Sequence, residues 1–470
     1  MSMEHIQDIL PAVEMPSRYL GNEINAIHKD LDQVDLRIAL AFPDLYEIGT
    51  SHFGLQILYS ILNRRDDIAA ERVFAPAPDM ERQLRQRRLA LTSLESGLPL
   101  NRFDIVGFSL LYELNYTGVL NMLDLSGIPL HSRDRKADQP FVIAGGPCTC
   151  NPEPVAAFFD AMVIGDGEAV VVQMADACLD WRRDGARGRE TLLEAWSQIP
   201  GVYIPAFFDA DFNARGFQRL KPLRRGYARV TRAFVGTLED APFPTAPVVP
   251  FGRPVHDRLR LELSRGCTRG CRYCQAGMIY RPVRERSPEK VLDLCDAALT
   301  ATGYEDVSLL SLSTGDYRCI VPLMEQLLNR YACDRVALSL PSLRAGTLTP
   351  ELMGLIKKVR KTGFTIAPEA GSQRLRDVIN KNITDGEIRA TVQDAFAQGW
   401  KVIKLYFMIG LPTETMADLE ALVELVHQLS RVKGPGNRRP RINVSVATFI
   451  PKAHTPFQWS PQISLAESRR

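Results

Sequence analysis

The chain is expected to be an α/β protein in two parts, an N-terminal doubly wound domain and a C-terminal partial (β/α)6 barrel, joined by a short β-containing linker. Three observations predict this. Short apolar runs alternate with helix-period stretches over two long regions, and a stretch rich in Pro, Gly and Asp separates the regions. In both regions glycine-rich or polar turns follow the apolar runs, where open α/β sheets and β/α barrels hold their ligands. The expected bounds are 18–182 for the first domain, 183–257 for the linker, 258–460 for the barrel and 461–470 for a tail. An end at that tail leaves open a truncated or split protein.

Composition sets the outer limits. At 470 residues the chain exceeds the size at which one core keeps growing. Hydrophobic residues at 45% and charged residues at 24% are the ordinary balance of a globular protein. Fifty-seven Lys and Arg against 55 Asp and Glu leave a net charge of +2, so any nucleic-acid partner needs a local patch. The N-terminus lacks a basic stretch followed by an apolar core, and no apolar run approaches a membrane span. A cytoplasmic protein with no membrane partner is the expectation. Nine cysteines, sparse and clustered, suit metal binding or packing better than a disulfide framework. Cys178, Cys295, Cys319 and Cys333 read as packing residues.

In the first region 36–42 (L-R-I-A-L-A-F) reads as a buried strand, with Leu55 to Leu62 in the helix behind it. Residues 104–110, 141–146 and 161–166 read as later strands. The linker stretch is turn-rich, and 219–232 places six positive charges in fourteen residues among Leu, Tyr and Val. An RNA-contacting strand and a solvated edge strand both fit it. In the second region strands are expected at 259–264, 306–313, 335–340, 364–369, 402–408 and 442–449, separated by helices. Cys267, Cys271 and Cys274 follow the first of these as C-x-x-x-C-x-x-C. Three thiolates on a four-iron cluster leave one iron open for a ligand that is not protein. A structural zinc site would normally close with a fourth Cys or His nearby, and none follows.

Two resemblances sharpen this reading. Asp44, Tyr46 and Gly49 in D-x-Y-x-x-G, then Ser109 and Leu110, then Gly145 and Gly146, resemble the three stations of cobalamin-binding domains. Tyr46 stands where that family's cobalt-ligating His would be, so the resemblance implies the cradle without the usual lower axial bond. His52 is a spare imidazole, or a helix cap. A flavodoxin-like domain that only docks remains the alternative.

The cysteine spacing after a first strand, with six β/α repeats, resembles the radical S-adenosylmethionine superfamily. The resemblance implies that Cys267, Cys271 and Cys274 are catalytic ligands of a 4Fe-4S cluster chelated by S-adenosylmethionine, with Tyr273 near the adenine. It carries Thr314, Gly315 and Asp316 over to the methionyl amine, Ser342 and Arg344 to the methionyl carboxylate, and Glu369 to the ribose. Ile409, Gly410 and Leu411 would flank adenine, whereas Glu414 reads as a first-turn acid of the next helix. Arg281, Arg284, Lys404 and Tyr406 are substrate-contact or rim candidates. The phrases C-R-Y-C-Q-A-G, A-P-E-A-G-S-Q-R-L-R and F-I-P-K-A-H-T-P-F-Q-W are similar to an uncharacterised group that carries a cobalamin-type domain in front.

The implied activity is reductive cleavage of S-adenosylmethionine to a 5'-deoxyadenosyl radical acting on an unknown substrate, with cobalamin-assisted methylation as one outcome. It needs a one-electron donor such as flavodoxin or ferredoxin. A methylthiotransferase-like RNA-modifying enzyme and a non-catalytic cluster-binding module are the alternatives. The N-terminal region offers only C-x-C at Cys148 and Cys150, where methylthiotransferases use three cysteines.

Overall fold

A computed structural model describes residues 6–331, 333–341, 343–359, 364–434 and 441–470. The chain divides into two compact units, one of residues 1–236, 240–257 and 300–302 and the other of 237–239, 258–299 and 303–470.

The first unit is built on six strands: β1 (Leu36–Phe42), β2 (Ile68–Phe74), β3 (Ile105–Ser109), β4 (Phe141–Gly145), β5 (Ala161–Val163) and β6 (Val202–Tyr203). They lie in the order β2-β1-β3-β4-β5-β6, with β1 to β5 parallel and β6 antiparallel at the edge. Alternation along the strands feeds two cores. Leu36, Ile38, Leu40 and Phe42 pack with Leu55, Tyr59, Met174 and Trp196 on one face. Ala39, Ala41, Val106 and Phe108 pack with Met80, Leu84, Val119 and Met122 on the other. Helices therefore cover both faces, and each fully buried Leu, Ile or Phe contributes roughly 1.5–3 kcal/mol.

Two strands escape the sequence reading. I-A-A-E-R-V-F forms β2 although Glu71 and Arg72 break its apolar run, because both are buried and bonded. V-Y forms β6 from only two residues. The stretch 183–257, expected as a linker, also holds the helix Arg189–Ser197, whose Trp196 is fully buried. Its β element is the hairpin of β7 (Phe208–Phe212) and β8 (Gln218–Pro222).

The second unit carries β9 (Leu259–Glu262), β10 (Ser264–Arg265), β11 (Arg284–Glu285), β12 (Asp306–Leu310), β13 (Ala337–Ser339), β14 (Phe364–Glu369), β15 (Val402–Ile409) and β16 (Arg441–Thr448). Six of these form two parallel sheets, β13-β12-β9 and β14-β15-β16, while β10 and β11 make a short antiparallel pair. Among the described residues no ladder joins β13 to β14, so the barrel is an open one of two halves. Helices such as Pro288–Thr302, Ile320–Tyr331 and Asp385–Ala397 follow its strands. Cys178 and Cys295 are buried, as packing residues should be. Cys319 is only partly buried, and Cys333 is exposed because it lies past the end of the helix Ile320–Tyr331.

Candidate active site

The cysteine loop begins where β10 ends and stops at the helix Ala276–Ile279. Gly266 opens it at φ +95°, and a Cβ there would stand 2.6 Å from the carbonyl oxygens of Tyr280 and Pro282, so the turn requires glycine. Cys267, Cys271 and Cys274 are free thiols, each partly buried. Burial pushes the Cys274 thiol up, against a Gly277 N–H that donates to its Sγ at 3.4 Å. Among the described residues no three His, Cys, Asp or Glu side chains converge as a metal-ligand group, so the cysteines share a loop without closing on one point.

Neighbouring turns anchor that loop. Arg269 Nε donates to Asp316 Oδ2 at 2.7 Å and its Nη2 to the other oxygen, a paired contact with the turn after β12. Burial alone would raise the Asp316 carboxyl, but the bond from Arg269 outweighs it and holds the group below its ordinary range. Asn380 Nδ2 donates to the Gly270 carbonyl at 2.8 Å, and the Arg272 N–H to the Ile379 carbonyl at 3.0 Å. On the side of the helix Ala276–Ile279, Gln275 Nε2 reaches the Ala453 carbonyl at 3.2 Å.

Tyr273 and Glu369, singled out separately in the sequence, meet. The Tyr273 hydroxyl donates to Glu369 Oε1 at 2.9 Å, and Lys381 Nζ donates to the Tyr273 oxygen at 3.1 Å and to Glu369 Oε1 at 3.2 Å. Burial first and the Glu369 charge second keep the Tyr273 phenol protonated. A register shift between Ile366 and Glu369, with Glu369 at φ +70°, re-aims the carboxylate at the end of β14. Ala370, Leu375, Ile379, Leu411 and Phe449 form an apolar cluster against which Tyr273 packs.

Other candidates land in more ordinary places. Thr314 Oγ1 donates to the Pro341 carbonyl at 2.7 Å, and a Cβ on Gly315 would run into Thr347. The buried Arg344 donates to the Lys381 carbonyl and, at 2.7 Å, to that of Asn382, so its guanidinium braces the turn carrying Lys381. Ser342 lies outside the described residues. Gly410 turns at φ +76° between Ile409 and the buried Leu411, and its N–H donates to Glu414 Oε1 at 2.7 Å. Glu414 thus closes a turn ahead of the helix Met416–Ser430, whose N-cap is Thr415. Arg281 is exposed and Arg284 buried, while Lys404 stands over the half-exposed Tyr406 ring at 4.6 Å. Sequence reasoning missed Lys381 and Asn380. The only signal was N-K-N, whose two asparagines both take positive φ as a left-handed turn allows.

In the first unit the three stations gather at the carboxyl ends of β1, β3 and β4. Strand order reverses beside β1, the place where open sheets leave a crevice. The Tyr112 hydroxyl donates to Asp44 Oδ2 at 2.6 Å, tying the turn after β1 to the turn after β3. Ser109 pairs in register with Gly145, where a Cβ would meet nothing within 4 Å, and the Leu110 N–H donates to the Gly145 carbonyl at 2.8 Å. Gly146 takes φ +106° with its built Cβ 2.6 Å from the Leu110 carbonyl oxygen. Gly49 sits under the Phe74 ring. Tyr46 is 3% exposed; its hydroxyl donates to Glu23 at 2.8 Å and accepts from the Phe251 N–H at 2.9 Å. The phenol is thus turned into the core rather than toward the crevice. His52 is a cap, its Nδ1 accepting from the Leu55 N–H at 3.3 Å.

Residues 54–205 match the family model of the N-terminal domain of radical SAM proteins, and residues 261–426 match that of the radical SAM superfamily. The chain belongs to that superfamily and is a radical SAM enzyme. It is 29% identical over 426 residues to an uncharacterized protein of Methanocaldococcus jannaschii, covering 90% of this chain and 79% of the other. In fold it is similar to the radical S-adenosylmethionine methyltransferase TsrM of Kitasatospora setae, solved with cobalamin and a 4Fe-4S cluster. The TM-score is 0.59 at 14% identity, covering 90% of this chain and 74% of that one. It is also similar to the cobalamin-dependent S-adenosylmethionine radical enzyme OxsB, with TM-score 0.57 at 14% identity over 85% of this chain and 53% of that one. No described helix is long and apolar enough to cross a membrane.

The donor sets suit the groups this superfamily implies. Three free thiols on one loop supply the donors of a cluster that keeps one iron open, although among the described residues they do not close on one point. At the ends of β3 and β4 a Cβ on Gly145 would meet nothing within 4 Å, an open position beside Ser109, while the Tyr46 phenol and the His52 imidazole are each engaged within the protein.

Proposed function

We propose that this enzyme binds a 4Fe-4S cluster through Cys267, Cys271 and Cys274 and cleaves S-adenosylmethionine reductively, to act on a carbon of a substrate still to be identified. The observation that carries this reading is the three-thiol loop tied to the turn after β12 and to the turn carrying Asn380 in an open β/α barrel, with Tyr273, Glu369 and Lys381 bonded beside it. When bound, the cluster supplies the electron, received from a reduced donor such as flavodoxin or ferredoxin. The protein's share is positioning. Glu369 offers a charged acceptor for the ribose hydroxyls, Tyr273 an aromatic face for adenine, and the apolar cluster around Leu411 and Phe449 a dry wall.

Cobalamin as a second cofactor is supported by the open cradle at Gly145 and by fold likeness to TsrM and OxsB, both described as cobalamin enzymes. Methylation of an unactivated carbon is then the leading overall reaction. Anaerobic reconstitution with and without cobalamin tests both parts. About four irons per chain and release of 5'-deoxyadenosine support the first part, and a full iron complement without cleavage refutes it. Stoichiometric uptake of cobalamin with a shifted absorption spectrum supports the second, and its absence refutes that part alone.

A further inference from the structure

Three arginines flank the thiols of the cysteine loop, and they are spent differently. Arg265 pairs with Glu262 through two bonds, from Nε at 2.8 Å and from Nη2 at 3.0 Å. Arg272 is exposed, and its Nη1 donates to the Val378 carbonyl at 2.6 Å. Arg269, two residues from both Cys267 and Cys271, crosses to the turn after β12, where Asp316 accepts from its Nε and its Nη2. Such a paired contact fixes the plane of the guanidinium as well as its place. The carboxylate is itself held, because Thr314 in the same turn is fully buried and bonded to the Pro341 carbonyl. Arg344 also acts on the Asp316 charge, but it is buried and committed to the carbonyls of Lys381 and Asn382. It cannot take the place of Arg269.

The guanidinium is held charged by the Asp316 bonds first and by the sulfurs of Cys267 and Cys271 after them. It belongs to the cysteine loop itself, whereas Asp316 reaches it from another turn, so the cation stands on the thiol side with the carboxylate behind it. An electron added to a thiolate-bound cluster makes its charge more negative, so a nearby cation favours reduction and a nearby carboxylate opposes it. We propose that Arg269 and Asp316 are a positioning pair whose balanced charges set how readily the cluster is reduced, an inference that rests on the cluster binding proposed above. Removing either member then exposes the other, with opposite results. Arg269→Gln leaves the carboxylate uncompensated and should make reduction harder. Asp316→Asn leaves the guanidinium uncompensated and should make it easier.

The test is a potentiometric titration of the full-length, anaerobically reconstituted chain, followed by the electron paramagnetic resonance of the reduced cluster. One electron passes from dithionite to the cluster, and no bond is made or broken. Solvent reaches 37% of the Arg269 side chain and 27% of Asp316, so the pair is partly screened. Each single variant should move the reduction equilibrium about tenfold, which is about 59 mV for one electron. The double variant should return to within about threefold of wild type, because the two charges leave together. Arg269→Lys keeps the charge without the paired geometry and should also stay within about threefold. A pair that only braces the loop would give neither the opposite signs nor the cancellation. Single variants that shift in the same direction, a double variant that sums their shifts, or unchanged midpoints throughout overturn the inference and leave the proposed function standing. Loss of iron from both single variants overturns it too, since that would make the pair a requirement for assembly. A wild-type chain that takes up no cluster refutes the proposed function and this inference together.

Discussion

Each unit holds a tyrosine, a glutamate and a cation in one bonded network at its strand ends, and the two networks differ in access. In the first unit Tyr46, Glu23, Arg72 and Glu95 are sealed. Arg72 spans Glu23 at 2.8 Å and Glu95 at 2.6 Å, and the side chains of these three are 2% exposed or less. In the second, Tyr273, Glu369 and Lys381 are partly open, with 11% of Lys381 and 15% of Glu369 in contact with solvent. Planar guanidinium bonded on two sides fixes a geometry, whereas an ammonium is a point charge whose partners can be exchanged. The sealed network holds structure, and the open one can trade its internal bonds for bonds to a ligand.

Four experiments can break or sharpen that contrast. The largest effect is expected beside the open network: Cys271→Ala should abolish 5'-deoxyadenosine release and the iron–sulfur absorption while leaving secondary structure unchanged by circular dichroism. Next, Arg72→Met should destabilise the first unit by about 3–5 kcal/mol, read from the denaturant midpoint, since it strands two buried carboxylates. Lys381→Met should cost little stability but raise KM for S-adenosylmethionine about tenfold by releasing Glu369, with Lys381→Arg restoring part of the loss. Were Lys381→Met to unfold the protein and Arg72→Met to spare it, the contrast would be reversed.

The smallest effect concerns Asp418. Burial would raise its carboxyl, but bonds from Arg374, Ser372 and Thr415 outweigh that and hold it well below the ordinary range. A depressed folded-state pKa stabilises above the unfolded value near 4 and loses that stabilisation as pH falls through the folded value. Asp418→Asn should therefore melt a few degrees lower at neutral pH, with the gap to wild type closing progressively below about pH 4.

Much of this architecture was legible. L-R-I-A-L-A-F became β1 at the bounds read from its run of apolar residues, and F-T-I-A-P-E became β14. β1 is buried almost throughout and β14 alternates buried with more open positions, and both are short runs bounded by turn residues, the pattern that local reasoning reads best. By contrast β2 was invisible because Glu71 and Arg72 interrupt it, and their burial makes sense only with Ser96, Glu23 and Glu95 in place. The short β6 was lost among prolines, and its pairing with β5 is a long-range contact.

The sequence by itself determined the chemistry. Three thiols at fixed spacing, an aromatic residue inside the triplet, and a run of polar turns after apolar strands are local patterns, written in a few adjacent residues. Tertiary structure alone decided the partnerships. It brought Tyr273 and Glu369 onto Lys381, drew Arg344 into bracing that lysine's turn, and buried Tyr46 against Glu23 although its motif suggested a crevice. The reason is physical: residue type and spacing fix what a side chain can do, but burial and bonding partners come from residues tens of positions away, whose approach only the packed chain specifies.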